Sequence, residues 1–182
     1  GIGEAAFYGP KLDIQIKNVH GKEDTLITLQ IDMLLAQKFG MEYTDSDNTQ
    51  KTPYIIHRTS IGCYERTLAL LLEKYAGALP LWIAPVQVTV LPVSNLFEEY
   101  AAQVRDRLQA AGIRVELDER NEKINYKIRQ AQMEKIPYML VIGDKEAESG
   151  TVAVRSRGGD EGVMALDDFI ARVNEEVRTK KN

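Results

Sequence analysis

The second half of this 182-residue chain alternates strand-like and helix-like segments, and this alternation restricts its possible folds more than any other feature. Apolar or alternating runs predict strands at residues 86–92, 113–117, 138–142 and 151–155. Helical spacing of apolar residues predicts helices from Ser94 to Gly112, over residues 124–135 and over residues 167–177. Strands that alternate with helices are typical of an α/β layer. We therefore predict a mixed, largely parallel sheet flanked by helices.

The first half shows a different, α+β pattern. Residues 12–16 and 25–31 alternate between apolar and polar side chains, with turn residues at 20–22, which predicts an antiparallel pair of strands. The polar segment 43–52 is predicted to be a loop, and residues 54–56 resume a strand.

A helix is predicted to follow this strand, from Tyr64 to a stop at Gly77. Glycine and proline interrupt the chain between Gly77 and Pro85, where the first pattern gives way to the second. We therefore predict two domains, residues 1–83 and residues 84–182.

The bulk composition excludes several classes of protein. The net charge of −4 argues against indiscriminate binding of polyanions, so any contact with RNA must be local. The single cysteine, Cys63, rules out an internal disulfide, and no apolar run approaches the length of a membrane span. A cytoplasmic protein without membrane contact is therefore expected. Two histidines and one cysteine are too few for a self-contained structural zinc site.

Residues 54–68 run from an apolar strand through Gly62 into a helix with Arg66 near its start. A helix N-terminus offers free N–H groups and the positive end of the helix dipole, which favour an anionic ligand. The guanidinium of Arg66 adds a permanent charge and a flat surface that can stack on a base. The alternative is an ordinary connection between strand and helix with an arginine on the surface.

These residues resemble the third signature motif of the class II aminoacyl-tRNA synthetases, in which a turn of small residues leads through Glu65 and Arg66 into an apolar helix. The Ile-His-Arg of residues 56–58, the Ala-Phe-Tyr-Gly-Pro-Lys of residues 6–11 and the Leu-Gln-Ile-Asp of residues 29–32 resemble the threonyl-tRNA synthetases in particular. The second half resembles the anticodon-binding domain that the threonyl-, prolyl-, glycyl- and histidyl-tRNA synthetases share. The resemblance implies a partial antiparallel class II sheet with the motif 3 helix, followed by an anticodon-binding domain.

The resemblance also implies roles for residues of the first half. Tyr8 would contact threonine, Lys11 would reach the nucleotide phosphates, and Gln30, which alternates outward with Asp32 on one strand face, would line the pocket for threonine and ATP. Arg66 would stack on adenine or hold a phosphate. The implied substrate-binding residues are Tyr8, Lys11, Gln30, Asp32, Cys63 and Arg66, of which Lys11, Gln30 and Arg66 act in catalysis. Without the resemblance, these are packed or solvated polar side chains.

The histidine of the family that matches His57 is one of three zinc ligands, and the metal recognises the amino and hydroxyl groups of threonine. An open position on zinc can distinguish a hydroxylated substrate from its methyl isostere. The partner cysteine and histidine of the family lie upstream of Gly1, so zinc is expected in the parent enzyme rather than in this chain alone. A lone histidine at a strand end is otherwise typical of a hydrogen-bonded structural residue.

Residues 118–124 follow a strand and precede a helix, at the carboxyl edge where open α/β sheets bind ligands. Asn121 matches a residue of the family that reads a base. Amide, carboxylate and guanidinium groups can pair with the exposed edges of single-stranded bases. The implied anticodon-binding residues are Asn121, Glu146 and Arg155 for the bases and Lys123 and Arg129 for the phosphates. Solvated surface side chains are the alternative for each.

The resemblance therefore implies the C-terminal part of a threonyl-tRNA synthetase. The parent enzyme would be a homodimer that uses ATP and Mg²⁺ to activate threonine and then transfers it to tRNA(Thr). This part would supply the third motif and grip the anticodon stem-loop, and it would be inactive alone because the arginine of the second motif is absent. A noncatalytic RNA-binding module of the synthetase type is the alternative. A different synthetase of the same subclass is disfavoured by residues 56–58.

Overall fold

The computed structural model describes residues 3–181 and divides the chain between Lys74 and Tyr75 into two compact units. In chain order, the first unit contains β1 (Lys11–Lys17), β2 (Glu23–Asp32), α1 (Leu35–Lys38), β3 (Tyr43–Thr44), β4 (Gln50–Lys51), β5 (Ile55–Arg58) and α2 (Tyr64–Lys74). Strands β1, β2 and β5 form an antiparallel sheet in the order β1-β2-β5. The predicted antiparallel pair is therefore confirmed. The prediction of a loop at residues 43–52 was wrong in part, because this segment contains the short hairpin β3–β4.

The two faces of this sheet differ in polarity. Cross-strand partners share a face, and Lys11, Gln30 and His57 are partners across the three strands. The opposite face carries Leu12 and Ile56, whose side chains are 62% and 69% exposed. Ala36 is the one buried apolar residue of this unit within residues 3–74. The first unit is therefore poor in core packing of its own.

The second unit has a mixed five-stranded sheet with helices on both faces. Its elements are β6 (Val88–Pro92), a 3₁₀ turn (Asn95–Phe97), α3 (Glu98–Ala110), β7 (Val115–Leu117), α4 (Ile124–Met133), β8 (Tyr138–Ile142), α5 (Asp144–Ser149), β9 (Thr151–Ser156), β10 (Gly159–Ala165) and α6 (Leu166–Arg178). The strand order is β10-β9-β8-β6-β7. Strand β6 pairs in parallel with β7 and β8, while the β8–β9 and β9–β10 pairs are antiparallel. The predicted α/β class is confirmed.

The core of the second unit is extensive. On one face of the sheet, Val90, Leu140 and Val154 pack with residues of α3 and α6, including the fully buried Phe169. On the other face, Leu91 and Met139 pack against α4. This double coverage explains why the strands β6 and β8 are almost continuously apolar.

Three details differ from the sequence predictions. Helix α5 and strand β10 were not predicted, because the first is short and polar and the second contains two glycines and two acidic residues. The helix predicted from Ser94 begins later, because the side chain of Ser94 makes no capping hydrogen bond and the chain passes through a 3₁₀ turn before α3 begins.

Residues 75–83, which the sequence pattern places in the first domain, lie within the second unit. Arg157 donates hydrogen bonds to the carbonyl oxygens of Ala78 and Leu79, at 3.2 and 2.8 Å. Gln87 donates to the carbonyl of Leu81 at 2.9 Å. Backbone carbonyls of this segment are thus satisfied by side chains of the α/β layer, which fixes the segment to it. No helix within the described part of the chain is both long and apolar enough to cross a membrane.

Candidate functional site

The polar face of the first sheet brings together three of the predicted site residues. The hydroxyl of Tyr8 donates a hydrogen bond to Oε1 of Gln30 at 2.9 Å. The rings of Tyr8 and His57 meet edge to face, with their centroids 6.4 Å apart. Because Gln30 and His57 are also cross-strand partners, the phenol, the amide and the imidazole form one cluster.

Asp32 supports this cluster from inside the fold. Its Oδ1 accepts hydrogen bonds from the backbone N–H groups of Leu34 and Leu35, at 2.9 and 2.8 Å, and its Oδ2 lies 3.1 Å from Nε2 of His57. The N–H of Leu35 is the largest cause that holds the pKa of Asp32 below its ordinary value. The expectation that Asp32 faces outward was wrong, because it is only 4% exposed. Its carboxylate therefore holds the backbone at the entry to α1 and contacts the imidazole of His57.

Lys11 lies on the same face as Gln30 and is exposed. Its ammonium forms an ion pair with Asp13 at 2.8 Å, and Asp13 also accepts a hydrogen bond from the hydroxyl of Thr28. The bond to Asp13 raises the pKa of Lys11, and the same bond lowers the pKa of Asp13. A cation on this face is therefore held beside the Tyr8–Gln30 pair.

Arg66 lies away from the imidazole of His57. Arg66 donates a hydrogen bond from Nη1 to the carbonyl oxygen of Thr25 at 3.0 Å. Thr25 precedes Gln30 by five residues on β2, a separation of about 17 Å at the rise of an extended strand. The exposed Sγ of Cys63 lies 2.9 Å from Oε2 of Glu65. Arg66 and His57 thus lie near opposite ends of one strand.

The described residues of this chain do not by themselves provide a zinc site. Zinc in proteins takes three or four Cys, His or acidic ligands. No group of three such residues in the described part of the chain could hold a metal ion, and Nε2 of His57 faces Asp32.

The second unit contains a polar groove at the carboxyl ends of β6 and β7. The groove has a volume of about 590 Å³. It is lined by Val93, Ser94, Asn95, Leu96, Arg120, Asn121, Glu122, Lys123 and Lys127. We call it the strand-end groove. Three of these side chains are cationic and one is anionic, and the first turn of α4 beside it has no acidic residue. The free N–H groups and the dipole of α4 therefore add to a local positive potential.

The groove has one wall on each side. Residues 93–96, which connect β6 to the 3₁₀ turn, form one wall, and the side chain of Leu96 is 86% exposed there. Residues 120–123 form the other, and Arg120 is fixed by Asp118 through Nε at 2.9 Å and Nη2 at 2.6 Å. This bidentate pair lowers the pKa of Asp118 and raises the pKa of Arg120. Asn121 and Lys123 are exposed and come together in this wall.

The other predicted anticodon-binding residues lie outside this groove. Glu146 accepts a hydrogen bond from the N–H of Gly143 at 2.9 Å, just beyond the carboxyl end of β8 and hence at the same edge of the sheet. Arg129 is exposed two residues beyond Lys127, which turns it to the opposite side of α4. Arg155 pairs with Met139 near the start of β8, at the opposite edge, and forms an ion pair with Asp160 at 3.1 Å.

Sequence reasoning missed Lys127 and the wall formed by residues 93–96. Lys127 lies four residues after Lys123, on the side of α4 that also presents Ala131, and it is only 3% exposed. Helical spacing could have placed it on the buried face, but lysine is normally a surface residue. The wall at residues 93–96 lies beyond the carboxyl end of β6, where parallel sheets bind ligands, but it faces residues 120–123 only because β6 pairs with β7.

Comparison with known families accounts for both units. Residues 2–75 match the family described as the tRNA synthetase class II core domain (G, H, P, S and T). Residues 87–176 match the family described as the anticodon binding domain. A class II core segment followed by an anticodon-binding domain defines a class II aminoacyl-tRNA synthetase.

Individual relatives narrow this class. The chain is 63% identical over 180 residues to the threonine–tRNA ligase of Clostridium perfringens, and it is 53% identical over 178 residues to that of Bacillus velezensis. It also resembles the crystal structure of the RNA binding domain of threonyl-tRNA synthetase from Cryptosporidium parvum, with a TM-score of 0.84, 36% identity, and coverage of 95% of this chain and 44% of that one. The chain belongs to the threonyl-tRNA synthetase family. The matches cover 97–98% of this chain but only 28% of the length of these ligases.

Proposed function

We propose that this chain serves as the C-terminal part of a threonine–tRNA ligase, with the strand-end groove as the place where it receives a base of the tRNA anticodon. In the whole enzyme, threonine would be activated with ATP and Mg²⁺ and then joined to tRNA(Thr). Residues 1–83 would contribute the end of the catalytic domain and residues 84–182 the anticodon-binding domain. The enzyme would act in the cytoplasm as a homodimer. Ligands from outside this chain would join His57 to complete the zinc site.

The observation that carries this proposal is that Asn121 and Lys123 both lie in one wall of a groove next to a helix N-terminus. The amide of Asn121 can donate and accept hydrogen bonds, which suits the edge of an unpaired base. The ammonium of Lys123 and the positive end of α4 suit a phosphate. The exposed Leu96 on the facing wall offers an apolar surface against which a base can lie. Glu146, Arg129 and Arg155 would meet other parts of the RNA.

The residues of the first sheet fit a supporting role in catalysis. The Tyr8–Gln30–His57 cluster presents hydroxyl, amide and imidazole groups to one face, and these groups can form hydrogen bonds with a hydroxylated amino acid. Lys11 on that face would attract the nucleotide phosphates, and Arg66 would hold the adenosine at the other end of β2. Asp32 would keep His57 oriented, and Cys63 would form part of the pocket floor. Their action is positioning and charge stabilisation.

Binding of the anticodon stem-loop by Asn121→Ala and Lys123→Ala variants tests the proposal. We expect Asn121→Ala to reduce the preference for the cognate stem-loop over one with substituted anticodon bases by about tenfold, because a lost base contact is worth about 1–3 kcal/mol. Lys123→Ala should weaken both complexes alike and reduce the slope of log K against log salt by about 0.7. Fluorescence anisotropy of labelled stem-loops at several salt concentrations measures both effects.

Asn174→Ala is the matched control, because Asn174 is exposed on α6, which packs on the face of the sheet opposite to α4. It should bind both stem-loops as the unmodified chain does. Equal losses on the cognate and substituted stem-loops for Asn121→Ala would remove Asn121 from the base-reading residues.

A noncatalytic RNA-binding module is the second candidate function. It is favoured by the contrast between the extensive core of the second unit and the sparse core of the first. Threonine-dependent exchange of pyrophosphate with ATP by the whole protein would support the ligase, and its absence in a well-folded whole protein would support the module.

A further inference from the structure

Lys127 is the one buried lysine or arginine within residues 3–181, with 3% of its surface exposed. Its ammonium donates hydrogen bonds to the carbonyl oxygens of Pro92, at 3.2 Å, and of Asp118, at 2.9 Å. The carboxylate of Asp118 is occupied by Arg120. The ammonium is therefore held by two backbone carbonyls of different loops.

These two carbonyls lie at the roots of the two walls of the strand-end groove. Pro92 is the last residue of β6, and the wall at residues 93–96 begins directly after it. Asp118 follows the last residue of β7, and the wall at residues 120–123 begins two residues later. Lys127, on α4, thus contacts both loops at the points where they leave the sheet, and its ammonium connects the bases of the two walls.

A buried ammonium is a costly means of holding two loops together. Transfer of a charge from water into the interior is unfavourable, and an apolar side chain of similar length would avoid that penalty. Charge-assisted hydrogen bonds are, however, shorter and stronger than neutral ones, so an ammonium fixes the spacing of its acceptors more tightly. Because the group is shielded from solvent, it is poorly placed to bind a phosphate of the RNA itself.

We propose that Lys127 is a positioning residue that sets the spacing between the two walls of the strand-end groove, so that the amide of Asn121 meets the edge of a base placed against Leu96. The inference rests on the proposed function, because it concerns how the same groove discriminates among bases. Its effect on RNA binding passes through the loops and not through contact with the RNA. Loss of Lys127 therefore differs in its consequences from loss of Lys123.

The test compares Lys127→Met, Asn121→Ala and the double variant in the full chain, with the cognate anticodon stem-loop and one with substituted anticodon bases. We expect Lys127→Met to reduce the preference for the cognate stem-loop about tenfold, as Asn121→Ala does, and to leave the salt slope unchanged. The double variant should lose no more preference than either single variant, because both changes remove the same contact between the Asn121 amide and the base. Lys127→Gln, which keeps a donor but not the charge, should show an intermediate loss.

Far-UV circular dichroism and the fluorescence of Trp82 establish that each variant is folded at the temperature of the binding measurement. Where Lys127→Met is unfolded, Lys127→Gln takes its place in the double-variant comparison. Retention of the full preference by the folded variant, or additive losses in the double variant, would overturn the positioning role while leaving the proposed function intact. Absence of any preference in the unmodified chain would instead overturn the proposed function, and the positioning role with it.

Discussion

Replacement of Phe169 by alanine is expected to lower the free energy of unfolding of the second unit by about 3–5 kcal/mol. The side chain is fully buried, at 0% exposure, in the core between α3, α6 and the sheet. Its ring packs edge to face on Tyr138, with centroids 5.4 Å apart. Truncation removes this buried ring and leaves a cavity that rigid neighbouring elements cannot fill.

Urea unfolding followed by fluorescence measures this loss, because Trp82 is the single tryptophan of the chain and lies in the second unit. The matched control is Phe7→Ala, since Phe7 is 87% exposed and belongs to the first unit. It should change the Trp82 transition by less than about 0.5 kcal/mol. Comparable losses for the two variants would mean that the second unit does not have the separate core described above.

Replacement of Gly62 by alanine is expected to abolish the ordered turn that leads into α2. Gly62 has a φ of +78°, and a Cβ at this position would overlap the carbonyl oxygen of Leu26. A left-handed conformation costs a residue with a side chain about 1–2 kcal/mol, and the overlap adds to this cost because a backbone atom must move. We expect a total loss above about 3 kcal/mol, and hydrogen exchange of the α2 amides at the rate of an unprotected peptide.

Gly21 provides a closely matched control for this change. Its φ is +77°, but nothing lies within 4 Å of a Cβ built there. Gly21→Ala should therefore show the cost of the left-handed backbone alone, and α2 should retain its protection from exchange. Loss of α2 protection in both variants would show that the close approach of Gly62 to Leu26 is unimportant for this turn.

The sequence predicted the regular elements well where the pattern was long and strong. Residues 138–142 were predicted as a buried strand and form β8 with those bounds, because five apolar residues lie between Pro137 and Gly143. The β1–β2 pair followed from alternation around a turn. Strand β10 was missed because its glycines and acidic residues are atypical of a strand, and only its pairing with β9 makes it one.

The candidate sites were predicted less completely, for reasons that lie in tertiary structure. Asn121 and Lys123 could be found because they follow a strand and precede a helix. The partner wall at residues 93–96 and the buried Lys127 depend on which strand lies next to which, which periodicity does not reveal. The separation of Arg66 from His57 likewise depends on tertiary contacts, because Arg66 on α2 contacts Thr25 at one end of β2 and His57 on β5 pairs with Gln30 near the other end.

Titration of the ¹⁵N-labelled chain with the unlabelled anticodon stem-loop of tRNA(Thr), followed through amide chemical shifts, tests the central claim most directly. We expect the largest changes at residues 93–96 and 120–127, with the amides around Asn174 on α6 unaffected. Changes centred on α6 or on the first sheet, with the strand-end groove unchanged, would contradict anticodon binding at this groove.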